Sequence, residues 1–187
     1  LEEISLPSTL TTIGDGVFAG TALTQVVVPD SVTSLGDNVF MNCPSLRTAV
    51  LPDGLGALGM SLFDGCVSLQ EVNLPSGITE LPPAIFKECA QLKSVTIPET
   101  VTQIGWEAFR KSGITAITLP DGVTELGEDV FSGCTDLSEV YLGSVTAIPN
   151  NTFERCEALK QVEIPSTVSH IGSLAFAGTS ITSLTIP

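Results

Sequence analysis

Leu92-Lys-Ser-Val-Thr-Ile-Pro-Glu-Thr-Val-Thr-Gln-Ile-Gly-Trp-Glu-Ala-Phe109 is the stretch whose reading decides the fold. Its first half places apolar side chains at Leu92, Val95 and Ile97, the last two alternating across Thr96. That is the pattern of a strand with one buried face. Pro98 has no N–H and a fixed φ, so it ends the strand and opens a turn. A second apolar pair, Val101 and Ile104, follows with Thr102 between them, which suits a second extended segment on another face. Gly105 and Phe109 close the unit, with room for one helical turn at most between them. Neither segment is long enough to stand alone. Each needs an equivalent segment hydrogen-bonded alongside, about 4.8 Å away.

The rest of the chain supplies those neighbours. All eight phenylalanines, Phe18, Phe40, Phe63, Phe86, Phe109, Phe131, Phe153 and Phe176, recur at intervals of 22 or 23 residues. A period in that range marks a stacked solenoid, whose units cannot bury an apolar face singly. The opening apolar residues are Leu1, Leu23, Leu46, Leu69, Leu92, Ile114, Leu137, Leu159 and Ile181. Residues 1–187 therefore read as one array of eight repeats plus the first strand of a ninth, with no internal domain boundary. No polar cap is evident at either end, so the array is expected to be a segment of a longer protein, with end-to-end self-association open to it. Proline follows the strand in every unit except at Gly143, where the unit is a residue shorter. Gly14, Gly36, Gly59, Gly105, Gly127 and Gly172 share a column with Pro82 and Pro149. Proline cannot adopt positive φ, so this column points to tight space and not to a left-handed turn. None of the 28 charged residues falls on an inward column, as the cost of burying an unpaired charge requires.

The recurring pattern Leu-x-x-Val-x-Ile-Pro-x-x-Val-x-x-Ile-Gly-x-x-Ala-Phe-x-x-Cys resembles the BspA-type leucine-rich repeats of bacterial and protist surface proteins, over essentially the whole chain. The resemblance implies a β-rich α/β solenoid, right-handed and curved, with a parallel sheet on the concave face and little regular helix. It also implies an extracellular, cell-surface protein used in adhesion or host-protein binding. The motif carries no catalytic or metal residues. The expectation is therefore a non-enzymatic binding module for a protein or glycan. The alternatives are a structural spacer in a larger surface protein or an accessory domain of a multidomain enzyme.

Composition narrows the partners further. The net charge of −14 repels phosphate backbones, which argues against nucleic acid. No apolar run approaches the ~20 residues that a membrane-spanning helix needs. No cofactor is implied. Cys43, Cys66, Cys89, Cys134 and Cys156 each lie three residues after a phenylalanine, in a slot otherwise filled by Thr21, Ser112 or Thr179. That substitution pattern predicts buried, reduced thiols, because stacked parallel Cβ directions oppose disulfide geometry and the spacing is not that of a zinc site. His170 falls on an outward position without a nucleophile in its column. Asp30, Asp53, Glu99 and Asp121 recur after the strand proline, where Ser8, Ser76 and Ser166 also occur, so turn formation explains them better than calcium. Asn150-Asn-Thr is an acceptor pattern for N-glycosylation.

The outward columns of the concave strands are the first candidate binding surface. Their central column contains Val50, Asn73, Thr96, Thr118, Tyr141 and Glu163, with Arg47 and Lys93 in a parallel column. Tyrosine and arginine are the residue types that most often anchor a partner. The alternative is that β-formers occupy an exposed sheet for propensity alone. A second candidate is Met60, Pro83 and Trp106, stacked in the slot after the Gly/Pro column, which would be either a contact surface or a rim covering its neighbours' backbone.

Overall fold

The computed structural model describes all residues from Leu1 to Pro187. The two apolar segments of each repeat form two separate series of parallel strands. The concave series comprises β2 (Gln25–Val27), β4 (Thr48–Val50), β5 (Glu71–Val72), β8 (Ala116–Thr118) and β10 (Glu139–Tyr141). The other series comprises β1 (Thr12–Ile13), β3 (Ser34–Leu35), β6 (Glu80–Leu81), β7 (Gln103–Ile104), β9 (Glu125–Leu126), β11 (Ala147–Ile148) and β12 (His170–Ile171). Register follows the repeat: Val27 pairs with Val50, Ile104 with Leu126, and Val140 with Ile117. The result is a parallel-strand solenoid without a helix.

A single apolar core runs its length. Phe40, Phe63, Phe86, Phe109, Phe131 and Phe153 are completely buried. Successive rings lie 5.5 to 5.9 Å apart and between 3° and 30° of parallel. At that separation the rings sit offset, in the favourable stacked arrangement. Burying each phenylalanine is worth about 1.5–3 kcal/mol, and the gain exists only when a neighbouring repeat covers the ring.

The segment around each phenylalanine is where the helical turn fails to form, and the reason is conformational. Two positions in every repeat have positive φ, one two residues before the phenylalanine and one two residues after it. Gly16, Asn38, Ser61, Ala84, Glu107, Asp129, Asn151 and Leu174 fill the first; Gly20, Asn42, Gly65, Glu88, Lys111, Gly133, Arg155 and Gly178 fill the second. This alternation turns every other N–H out of the coil. The N–H groups of both positive-φ residues and of the phenylalanine between them donate to carbonyls of the next repeat. One example is Ala84 to Trp106, Phe86 to Ala108 and Glu88 to Arg110, at 2.9, 2.8 and 2.8 Å. The same three bonds recur at each of the seven junctions from Phe18 to Phe176.

The cysteines complete this arrangement. Each buried thiol donates to the carbonyl of the phenylalanine in the preceding repeat: Cys43 to Phe18, Cys66 to Phe40, Cys89 to Phe63, Cys134 to Phe109 and Cys156 to Phe131, at 2.9 to 3.2 Å. All five are free and buried. Burial pushes the Cys134 thiol up to about 11 and raises Cys89 and Cys156 as well.

The Gly/Pro column is tight, as read from the sequence. A Cβ at Gly105 would lie 2.5 Å from the Pro83 nitrogen, and one at Gly127 would lie 2.3 Å from the Trp106 nitrogen. None of these glycines has positive φ. Gly143 differs: its φ is 59°, and a Cβ there would sit 2.6 Å from the Pro120 carbonyl oxygen. Glycine is what permits the shortened turn of that unit.

The concave ladder is interrupted, which the repeat pattern does not foresee. Backbone hydrogen bonds join β2 to β4, β4 to β5 and β8 to β10. None joins Glu3–Leu6 to Gln25–Val28, Glu71–Leu74 to Ser94–Ile97, Ser94–Ile97 to Ala116–Leu119, Glu139–Leu142 to Gln161–Ile164, or Gln161–Ile164 to Ser183–Ile186. The expectation that each segment is hydrogen-bonded to an equivalent one alongside therefore needs correction at these five junctions. At the interior ones, stacking in the core and the bonds of the phenylalanine turns carry the connection.

Two stability measurements follow. Leu174 is exposed with φ 57°, so Leu174→Gly should relieve the left-handed strain and raise stability by about 0.5–1 kcal/mol, read from the denaturant midpoint. Cys89→Ala should cost about 1–3 kcal/mol by orphaning the Phe63 carbonyl, and Cys89→Ser, which keeps a donor, should cost less.

Candidate functional site

The concave columns form an exposed surface of one outward residue per strand, but many of its polar groups already have partners. Tyr141 is half-exposed, and its hydroxyl donates to Asp121 Oδ1 at 3.0 Å. That hydrogen bond, with the charges of Asp121 and Glu163, holds the phenol above its ordinary pKa. The hydroxyl is thereby tethered while about half of the residue stays exposed. Lys93 reaches past Gly113 to Asp136, its Nζ 3.0 Å from Oδ2, in a surface pair worth little in water. Asn73 clips the neighbouring strand: its Nδ2 donates to the Leu51 carbonyl and its Oδ1 accepts the Leu51 N–H, both at 2.8 Å. Asn73 is thus part of the framework and not a free contact group.

The remaining candidates are unencumbered. Arg47 is exposed and makes no ion pair. Val50 is exposed and sits in register with exposed Val27, a residue outside the candidate set, and the two give an apolar patch. Thr96, Thr118 and Glu163 are exposed along the same column. The structure therefore divides the predicted surface in two: Arg47 with Val50 toward the N-terminal end, and Tyr141 with Glu163, Glu139 and Asp121 toward the C-terminal end. The sequence reading missed Asp136 altogether, and it named Asp121 only as a turn residue and not as the partner of Tyr141. Both lie in turns, where no periodicity signals which outward group they will meet.

The second candidate stands beyond the second strand series. Met60 and Trp106 are 40% and 47% exposed, with Pro83 half-buried between them. About half of the Trp106 surface is thus open to a partner, and the other half covers the chain beneath it.

Elsewhere the chemistry is structural. His170 is exposed in β12 with Ala147 as its register partner. No three His, Cys, Asp or Glu side chains are grouped to hold a metal ion. The Asn150 pattern is occupied: Thr152 is buried and donates to the Pro149 carbonyl at 2.8 Å. The Asn150 amide donates to Glu128 and its carbonyl oxygen accepts the Ser173 N–H. The Asn150 side chain is thus engaged in bonds to both neighbouring repeats. On the phenylalanine turns, Lys87 lies 2.6 Å from Glu107, which also pairs with Arg110. Burial works against the Glu107 carboxylate, but these two cations together hold it below the ordinary range.

The comparisons with known proteins agree with this geometry. The family model for the BspA type leucine rich repeat region matches residues 1–112 and 79–187, which together span the chain. This chain belongs to the BspA-type leucine-rich repeat family. The BspA-type array is similar to a leucine-rich repeat protein from Bacteroides ovatus, with 31% identity over 100% of this chain and 55% of that one, and a TM-score of 0.84. It thus spans about half the length of that protein. The T. pallidum leucine rich repeat protein is 28% identical over 86% of this chain and 77% of its own, with a TM-score of 0.76. A leucine rich cell surface protein from Faecalibacterium prausnitzii is 27% identical over 89% of this chain and 62% of its own, with a TM-score of 0.60. No curated protein matches the array. The family is one of interaction scaffolds built from repeats. No helix is long and apolar enough to cross a membrane.

Asp64 offers a pH test of the convex charges. Burial, with Glu88 and Glu107 nearby, raises its carboxyl above the ordinary value despite Lys87. A raised carboxyl pKa destabilises the fold above that pKa and ceases to do so once both states are protonated. Asp64→Asn should raise the melting temperature at pH 7, and the gain should shrink as pH falls through the carboxylate range.

Proposed function

We propose that the array is a non-enzymatic binding module of a larger cell-surface protein and that it presents its concave face to a protein or glycan partner. The observation that carries this reading is the concave surface itself. Arg47 and the Val27–Val50 pair toward one end, and Tyr141 toward the other, project from one face anchored on a continuous core. A surface already ordered in this way loses little conformational entropy on binding. The hydrogen bond to Asp121 orients Tyr141 before a partner arrives. Its carboxylate neighbours and the net charge of −14 favour a partner with a basic patch at that end.

A rigid spacer is the second reading, favoured by the three recurring hydrogen bonds at every phenylalanine turn. A screen against extracellular-matrix proteins and glycans separates the two. For a captured partner, Tyr141→Ala should weaken binding about tenfold or more while leaving thermal stability nearly unchanged, as expected of an exposed anchor. Failure of every protein and glycan in the screen to bind would favour the spacer.

A further inference from the structure

The slot after the Gly/Pro column has a structural task in some repeats and not in others. It holds Asp15, Asp37, Met60, Pro83, Trp106, Glu128, Asn150 and Ser173 in succession. Asp15 Oδ1 accepts the N–H of Asp37 at 2.9 Å, Asp37 Oδ1 that of Met60 at 2.7 Å, and Asn150 Oδ1 that of Ser173 at 2.7 Å. A short polar side chain here thus ties one repeat to the next. Three consecutive repeats in the middle of the chain replace it with Met60, Pro83 and Trp106, which can make no such bond. A departure from a local structural rule without a structural gain is where function is to be sought.

The replacements are only partly buried. Met60 and Trp106 stand 40% and 47% exposed. They are two rungs apart, about 10 Å at the spacing of hydrogen-bonded strands, so with Pro83 they form one short ridge. The backbone beneath is packed too closely to yield, since even a Cβ at Gly105 or Gly127 has no space. The ridge is a fixed apolar platform.

Its surroundings are acidic. Glu128 follows Trp106 in the same column, and exposed Glu80 and Glu125 flank the ridge in the adjacent strand column. Neither Glu80 nor Glu125 has a side-chain hydrogen bond or ion pair. Neither column contains a lysine or arginine. The closest cations in the repeat pattern, Lys87 and Arg110, are engaged by Glu107. Glu128 accepts a hydrogen bond from the Asn150 amide but, like Glu80 and Glu125, has no cationic partner. An apolar ridge framed by carboxylates without cations matches a cationic segment with an apolar side chain of its own. A guanidinium can also lie on an indole face and reach a carboxylate at once.

We propose that Met60, Pro83 and Trp106, framed by Glu80, Glu125 and Glu128, form a docking surface for a basic segment of a partner protein. The segment carries an apolar side chain between arginines, and the site is independent of the concave face.

Trp106 is the one tryptophan in the chain, so its fluorescence reads this site directly. The array is titrated with the peptide Arg-Arg-Leu-Arg-Arg. A saturable blue shift is expected, together with an affinity that falls as salt rises. Glu80→Gln/Glu125→Gln/Glu128→Gln should weaken it about tenfold or more, whereas Glu71→Gln/Glu139→Gln/Glu163→Gln, which removes the same charge from the concave face, should change it less than about twofold. Trp106→Ala, followed with a labelled peptide, should lose binding with its melting temperature retained. Tyr141→Ala should leave the titration unaltered, which separates this site from the concave one. Equal weakening by the two neutralised triplets would reduce the effect to general attraction by an acidic chain and overturn the proposal. An unshifted tryptophan would also overturn it. So would a saturable response to neutral oligosaccharide but not to the peptide, which would make the ridge a glycan site.

Discussion

Everything in this molecule depends on the bonds that leave each phenylalanine turn for the next repeat. A 22- or 23-residue coil has too little core and too many backbone donors to satisfy itself. Alternating left-handed residues aim three N–H groups out of each coil, and the next coil supplies the carbonyls. The ring at the centre of that turn is buried by the same act of stacking. Hydrogen bonding and hydrophobic burial are therefore satisfied together or not at all, which is the basis of cooperative stability in a repeat array. The same coupling tolerates a concave ladder broken on both sides of Ser94–Ile97 and again after Glu139–Leu142, because the opposite side of each coil remains bonded.

Function is separated from this framework by position. Inward columns and the phenylalanine turns are tightly constrained; outward positions on the strands are not. Tyr141, Arg47 and Val50 can vary without disturbing the stack, whereas changing Asn73 or Asp15 removes a bond to a neighbouring repeat, because their side chains pair with backbone groups. Exposure alone thus misjudges which outward residues are free. The number of framework atoms that a side chain bonds is the better guide, and by it the Met60–Trp106 ridge and the Val27–Val50 pair stand out.

The spacing of Phe18 to Phe176 and the strand prolines made the solenoid, its inward columns and the buried thiols legible from the amino-acid sequence, because burial imposes periodicity. The two left-handed positions were only half-visible. Gly20, Gly65, Gly133 and Gly178 mark one of them, but Glu88, Lys111 and Arg155 occupy the same slot and hide it. The cysteine bonds were invisible for a different reason, since a small buried residue and a hydrogen-bond donor leave the same trace in sequence. Site geometry was the least legible. Lys93 finds Asp136 two repeats away, and Tyr141 finds Asp121 in a neighbouring turn, through side-chain reach that no repeat pattern encodes.

The direction of the inter-repeat bonds carries one more consequence. At the phenylalanine turns the N–H groups point toward the C-terminal end of the array. Another set of bonds, on the side of the second strand series, points the other way, as from Thr33 to Thr11, Gly36 to Ile13 and Thr102 to Thr79. The peptide dipoles of these two sets of bonds are antiparallel along the solenoid axis, while successive dipoles within the strands alternate in direction and add little. A helix lengthened by alignment of its dipoles develops opposite partial charges at its ends. In this solenoid the opposed rows offset one another, so further coils extend the shaft without electrically polarising its tips.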